Sequence, residues 1–148
     1  MRAASMITGL FLAALCGTLS VAGAAAGDGV PITGEAALRQ LFVDQTFYGH
    51  TGEGVPWMEY YRPDGRSSYR QNDCITPGHW RVSEKGACFA YPSFENGEVS
   101  CYLLFSSNGQ IEFVPDEGGD PDAEFIAETI KPENPGGLPM TAAGNCGG

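Results

Sequence analysis

The stretch GHWRVSEKGACFAY (residues 78–91) decides the fold. Trp80 and Val82 alternate with His79 and Arg81 before Glu84-Lys85-Gly86, and Cys88 and Ala90 alternate with Phe89 and Tyr91 after it. Two strands of period two joined by a hairpin are the direct reading. A three-residue loop over Glu84 to Gly86, with glycine left-handed, sets Val82 opposite Cys88, Arg81 opposite Phe89 and Trp80 opposite Ala90. One face is then Trp80, Val82, Cys88 and Ala90, an apolar set expected in the core. The other carries His79, Arg81, Phe89 and Tyr91, a mixed face suited either to contact with water or to lining a pocket, and expected to be a contact surface.

Outward from this hairpin the same pattern repeats. Short runs rich in aromatic and β-branched residues predict strands near 46–50, 57–61, 66–71, 78–83, 87–91, 99–105, 111–114 and 124–130. Arg62-Pro63-Asp64-Gly65 and Ser107-Asn108-Gly109 supply local turns. Consecutive hairpins imply a mainly β fold, an antiparallel meander of about eight strands forming a small barrel or a curled sheet. Two-residue pairing across Pro63 and Asp64 puts Trp57, Glu59 and Tyr61 on one side with Arg66, Ser68 and Arg70, an aromatic and arginine surface suited to protein contacts.

Before the strands, VPITGEAALRQLF predicts the one short helix, with Thr33 as N-cap and Ala37, Leu38, Leu41 and Phe42 as its apolar stripe. After them, residues 131–148 are rich in proline and glycine and predict an irregular tail.

The first 26 residues have the order of a secretory signal: Arg2, an apolar run from Met6 to Leu15, then Ala24 and Ala26 at an AxA cleavage site. Leu15 before Cys16 does not suit lipoprotein processing. Residues 27–148 are expected to form a single domain, periplasmic or secreted, with no integral membrane segment after processing. Removing Arg2 leaves seven basic residues against eighteen acidic ones, a net charge of −11, which argues against nucleic acid and anionic lipid as partners. Four cysteines remain in an oxidising compartment. Cys88 and Cys101 fall on the expected core face of strands adjacent in sequence and are expected to pair, leaving Cys74 with Cys146 by elimination.

Taken in order, Tyr48, the Tyr60 to Gly65 hairpin, Gly78 with Trp80, Cys88 with Cys101, and Asn134-Pro135 resemble a group of small exported proteobacterial β domains of unknown function. The resemblance spans roughly residues 32–138 and implies a periplasmic β domain; it carries over no catalytic residue.

No motif assigns chemistry. None of the serines lies in a GxSxG elbow, and no SxxK is present. His50 and His79, the only histidines, share no ligand spacing, so no metal site is assigned. The acidic run Asp116 to Glu124 fails the EF-hand pattern, since Phe125 stands where the loop glycine belongs. No cofactor is implied. The leading expectation is a non-catalytic exported domain that binds a protein or cell-envelope component through Arg81, Phe89, Tyr91 and His79. Two rivals are a lipocalin-like carrier of a small apolar ligand and an enzyme with a cryptic site. A closed barrel enclosing ~300 Å³ or more favours the carrier.

Overall fold

The computed structural model describes residues 29–93, 97–116 and 124–146. The expected signal peptide lies outside them, as do Glu117, Asp120 and Asp122 of the acidic run. The elements are β1 (Val30–Ile32), α1 (Glu35–Phe42), β2 (Gln45–Thr51), β3 (Pro56–Tyr61), β4 (Arg66–Gln71), β5 (Cys74–Val82), β6 (Gly86–Ala90), β7 (Val99–Ser107), β8 (Gln110–Pro115) and β9 (Phe125–Pro132). From β2 to β9 each strand pairs antiparallel with the next, and β9 returns to β2, so eight strands close into a barrel. The short β1 lies outside this ring; it takes the edge of β7 beyond Leu103, where β6 ends.

Two hairpins differ from expectation by one residue, and each difference turns one strand over, β6 in the first and β3 in the second, because side chains alternate with period two. In the decisive hairpin Ser83 N–H donates to the Gly86 carbonyl (2.9 Å), so the turn has two central residues and Trp80 faces Phe89. Gly86 is a strand residue packed so closely on β7 that a Cβ would strike the Tyr102 carbonyl. In the β3–β4 hairpin the loop has three residues, Pro63-Asp64-Gly65, with Gly65 at φ 84, and Tyr61 pairs with Ser67. Trp57, Glu59 and Tyr61 therefore share a face with Ser67, Tyr69 and Gln71. That face is the barrel interior.

Helix α1 closes one end. Gly34 at φ 93, rather than Thr33, occupies the N-cap, and its N–H donates to the Glu84 carbonyl (2.9 Å). Leu38 and Phe42 are fully buried, whereas Ala37 of the expected stripe is exposed. The Phe42 ring meets Phe47 (5.0 Å), Tyr61 (4.8 Å), Trp80 (5.6 Å), Phe89 (6.0 Å) and Phe113 (6.2 Å), which come from five strands around the ring. A side chain in contact with so many staves sits near the barrel axis.

The tail is ordered although it is nearly free of regular structure. Asn134 brackets a turn by donating from Nδ2 to the Leu138 carbonyl and accepting from the Leu138 N–H, both at 2.9 Å. Ser68 Oγ donates to the Pro139 carbonyl (2.6 Å), and Gly136 packs on Met58. This cover explains why Met58 and Ser68 are buried on the outward side of their strands. Further on, Ala143 bridges to Ile75 and Cys146 bonds to Cys74.

The second disulfide joins Cys88 and Cys101, which are directly opposite across β6 and β7 with Cα atoms 4.0 Å apart. The pairing agrees with expectation but its face does not. Phe89 and Ser100 are turned inward, so the bridge sits on the outside beside Arg81.

Candidate functional site: a cavity within the barrel

Eight strands leave an interior just wide enough for side chains or one small ligand. Here the α1 end is filled by Phe42 and its neighbours, and the other end holds a cavity of about 760 Å³. Its floor is Tyr61, Phe89 and Phe113, the rings that also touch Phe42. Its wall is an aromatic girdle. Trp57 stacks on Tyr69 (6.2 Å) and meets Phe125 edge to face (6.0 Å), Phe125 meets Tyr102 (5.8 Å), and Tyr69 meets Tyr91 (5.7 Å). The mouth is polar, with Thr51, Asn72, Ser93 and Ser100, and the tail contributes Ala142, Asn145 and Cys146 to its rim.

Among the described residues one carboxyl lies within. Glu59 on β3 alternates inward between Trp57 and Tyr61 and is 3% exposed. Tyr61 Oη donates to its Oε2 (2.9 Å), and Tyr91 Oη lies 2.9 Å from both carboxylate oxygens. Burial pushes the Glu59 carboxyl from 4.5 up to about 7, with the hydroxyls of Ser67, Tyr91 and Tyr61 pulling the other way. Ser67 thus lies close enough to favour the charged form, yet its Oγ makes no hydrogen bond of good geometry. Burial, and then the Glu59 charge, hold the Tyr61 and Tyr91 hydroxyls well above their ordinary range, so both remain donors. Trp57 Nε1 is likewise buried with no acceptor among the described residues.

The four residues expected to form a binding face do not share one. Phe89 and Tyr91 point inward and line the cavity; Arg81 and His79 are exposed outside. His79 borders a separate hollow of about 290 Å³ between β4, β5 and the tail. His50 Nδ1 lies 3.5 Å from Glu128 Oε1, where both side chains are partly exposed, and neither histidine lines the cavity. Among the described residues no group of three or more His, Cys, Asp or Glu side chains could hold a metal. Sequence reasoning singled out Trp57, Glu59 and Tyr61 but placed them outside, and it gave Glu59 no role.

Fold and site together define a closed antiparallel barrel with an aromatic interior cavity, a polar mouth and the Glu59 carboxyl at depth. Comparison of the chain with protein-family models, with curated proteins and with solved structures finds no match. Among the described residues no helix is long and apolar enough to cross a membrane.

Proposed function

We propose that this chain is an exported, non-catalytic binding barrel that takes a small, largely apolar molecule into its interior and works in the periplasm or outside the cell. The carrying observation is the aromatic cavity, whose 760 Å³ falls within the range that buries a drug-sized ligand. The composition of such sites, apolar walls with a few placed polar groups, matches the girdle around Glu59 and Trp57 Nε1. Two disulfides suit an oxidising compartment. The surface-binding alternative loses its aromatic half once Phe89 and Tyr91 face inward.

Titration of the purified, oxidised protein with a neutral naphthyl fluorophore tests the reading. One-to-one binding with a blue-shifted emission is expected. Ser100→Trp, which fills space just inside the mouth, should weaken that binding at least about tenfold while the melting temperature stays within a few degrees. Binding that Ser100→Trp leaves unchanged, or no binding by any apolar probe, refutes the proposal.

A further inference from the structure

Taken as a binding site, the cavity has a chemical polarity that narrows its ligand. Among the described residues its lining contains no Lys, Arg or His, and Glu59 is its only carboxylate. The other titratable groups of the interior are Tyr61 beside Glu59 on β3, Tyr69 from β4, Tyr91 following β6 and Tyr102 from β7, none of them cationic. An anionic amphiphile such as a fatty acid would bring its charge to a site with no counter-charge and one like charge, at the desolvation cost that excludes unpaired buried ions. A wholly apolar guest would leave two features unused. Among the described residues Glu59 would keep no partner but neutral hydroxyls, and Trp57 Nε1 would stay without an acceptor.

A cationic guest uses the carboxylate, and one whose body also carries an acceptor uses the indole N–H as well. An ammonium group against Glu59 forms a charge-assisted pair in a medium of low dielectric. The rings around the carboxylate, Tyr61, Tyr69, Tyr91 and Trp57, present the kind of aromatic surface that attracts organic cations. Glu59 and Trp57 are two residues apart on one strand face, about 7 Å along the strand, which sets the spacing between a guest's cationic nitrogen and an acceptor for the indole N–H. Approach is favoured as well, because the chain carries a formal net charge of −10.

We propose that the barrel recognises an amphipathic organic amine, its cationic nitrogen held by the Glu59 carboxylate and its aryl or alkyl body enclosed by the aromatic girdle. This inference rests on the cavity being a binding site, and the test separates the two. Three isosteric probes, naphthylethylamine, propylnaphthalene and naphthylpropanoate, are titrated by calorimetry into the full oxidised protein and into Glu59→Gln. At about pH 8 the amine should bind at least about tenfold more tightly than the neutral probe, with the carboxylate weakest, and Glu59→Gln should erase the preference while retaining propylnaphthalene.

Wild-type protein supplies a second measurement should the variant fail to fold. Lowering the pH to about 5 protonates Glu59 but leaves the amine charged, so amine affinity should fall at least about tenfold while propylnaphthalene affinity holds. Equal affinity for amine and neutral probe, or preference for the carboxylate, overturns the amine inference and leaves the cavity reading standing. Failure of all three probes to bind overturns both.

Discussion

The buried carboxyl makes the stability of the empty barrel depend on pH in an unusual direction. Most carboxylates of folded proteins are paired and have depressed pKa values, so acid destabilises. Glu59 is the reverse case: its folded pKa of about 7 lies above the ordinary 4.5, and the folded state holds the proton more tightly than the unfolded chain. Its contribution is therefore most favourable below 4.5 and is lost as pH rises through 7. Integrating the two titrations, ionisation costs about 1 kcal/mol at pH 5 and about 3 kcal/mol at pH 8, a loss of about 2 to 3 kcal/mol between them. Glu59→Gln keeps the shape and hydrogen-bonding capacity but does not titrate. Urea unfolding of both proteins at the two pH values isolates the effect from every other group. The stability of the wild type relative to the variant should drop by about 2 to 3 kcal/mol on going to pH 8, equivalent to roughly 10 °C in melting temperature for a domain of this size. A difference between the two proteins that stays constant within about 0.5 kcal/mol would show that Glu59 titrates as an ordinary solvated carboxyl, and the enclosed site would not exist as described.

Phe42→Ala should cost about 3–5 kcal/mol, since the fully buried ring meets five others, while Arg39→Ala on the exposed side of α1 should stay within about 0.5 kcal/mol; thermal melts compare them. Cys146→Ser opens a bridge spanning 72 residues and should lower stability by about 4 kcal/mol in the chain-entropy account. It should also speed release of a bound naphthyl probe in stopped-flow measurements, because the tail residues at the mouth lose their tether. Gly49→Ala drives a Cβ into the Ile126 carbonyl on the β2–β9 seam and should cost more than about 3 kcal/mol, whereas Gly54→Ala, with open space but φ 81, should cost about 1 kcal/mol; urea midpoints distinguish them.

Much of the architecture was readable from the chain. Strands over 45–132 lie within a few residues of their expected positions, because turn residues such as Asn108-Gly109 punctuate runs of aromatic and β-branched side chains. The helix stripe was legible in Leu38 and Phe42, and the disulfide partners in cysteine arithmetic. Loop length was the illegible part. A glycine at position 86 reads as a left-handed turn residue, but it is needed flat against Tyr102, and this single residue inverts the faces of β6 while β5 keeps Trp80 and Val82 inward as expected. Arg66 and Arg70 held the missed signal. Charged residues alternating on β4 must face water, which sends Ser67 and Tyr69 inward. Glu59 concealed the site for the same reason: a carboxyl between Trp57 and Tyr61 argues for an exposed face unless the residue is used inside.

The seam between β2 and β9 has a consequence for biogenesis. Thr46 Oγ1 donates to the carbonyl of Glu133, a partner 87 residues away, and β9 is the stave that joins both β2 and β8. Without β9 the ring cannot close, so a nascent chain ending before residue 125 has two open sheet edges, β2 and β8, and no enclosed interior. Pairings this distant in sequence form slowly. A chain that cannot finish its sheet until the last strand arrives carries unpaired strand edges through most of its synthesis, and those edges are what neighbouring chains can pair with.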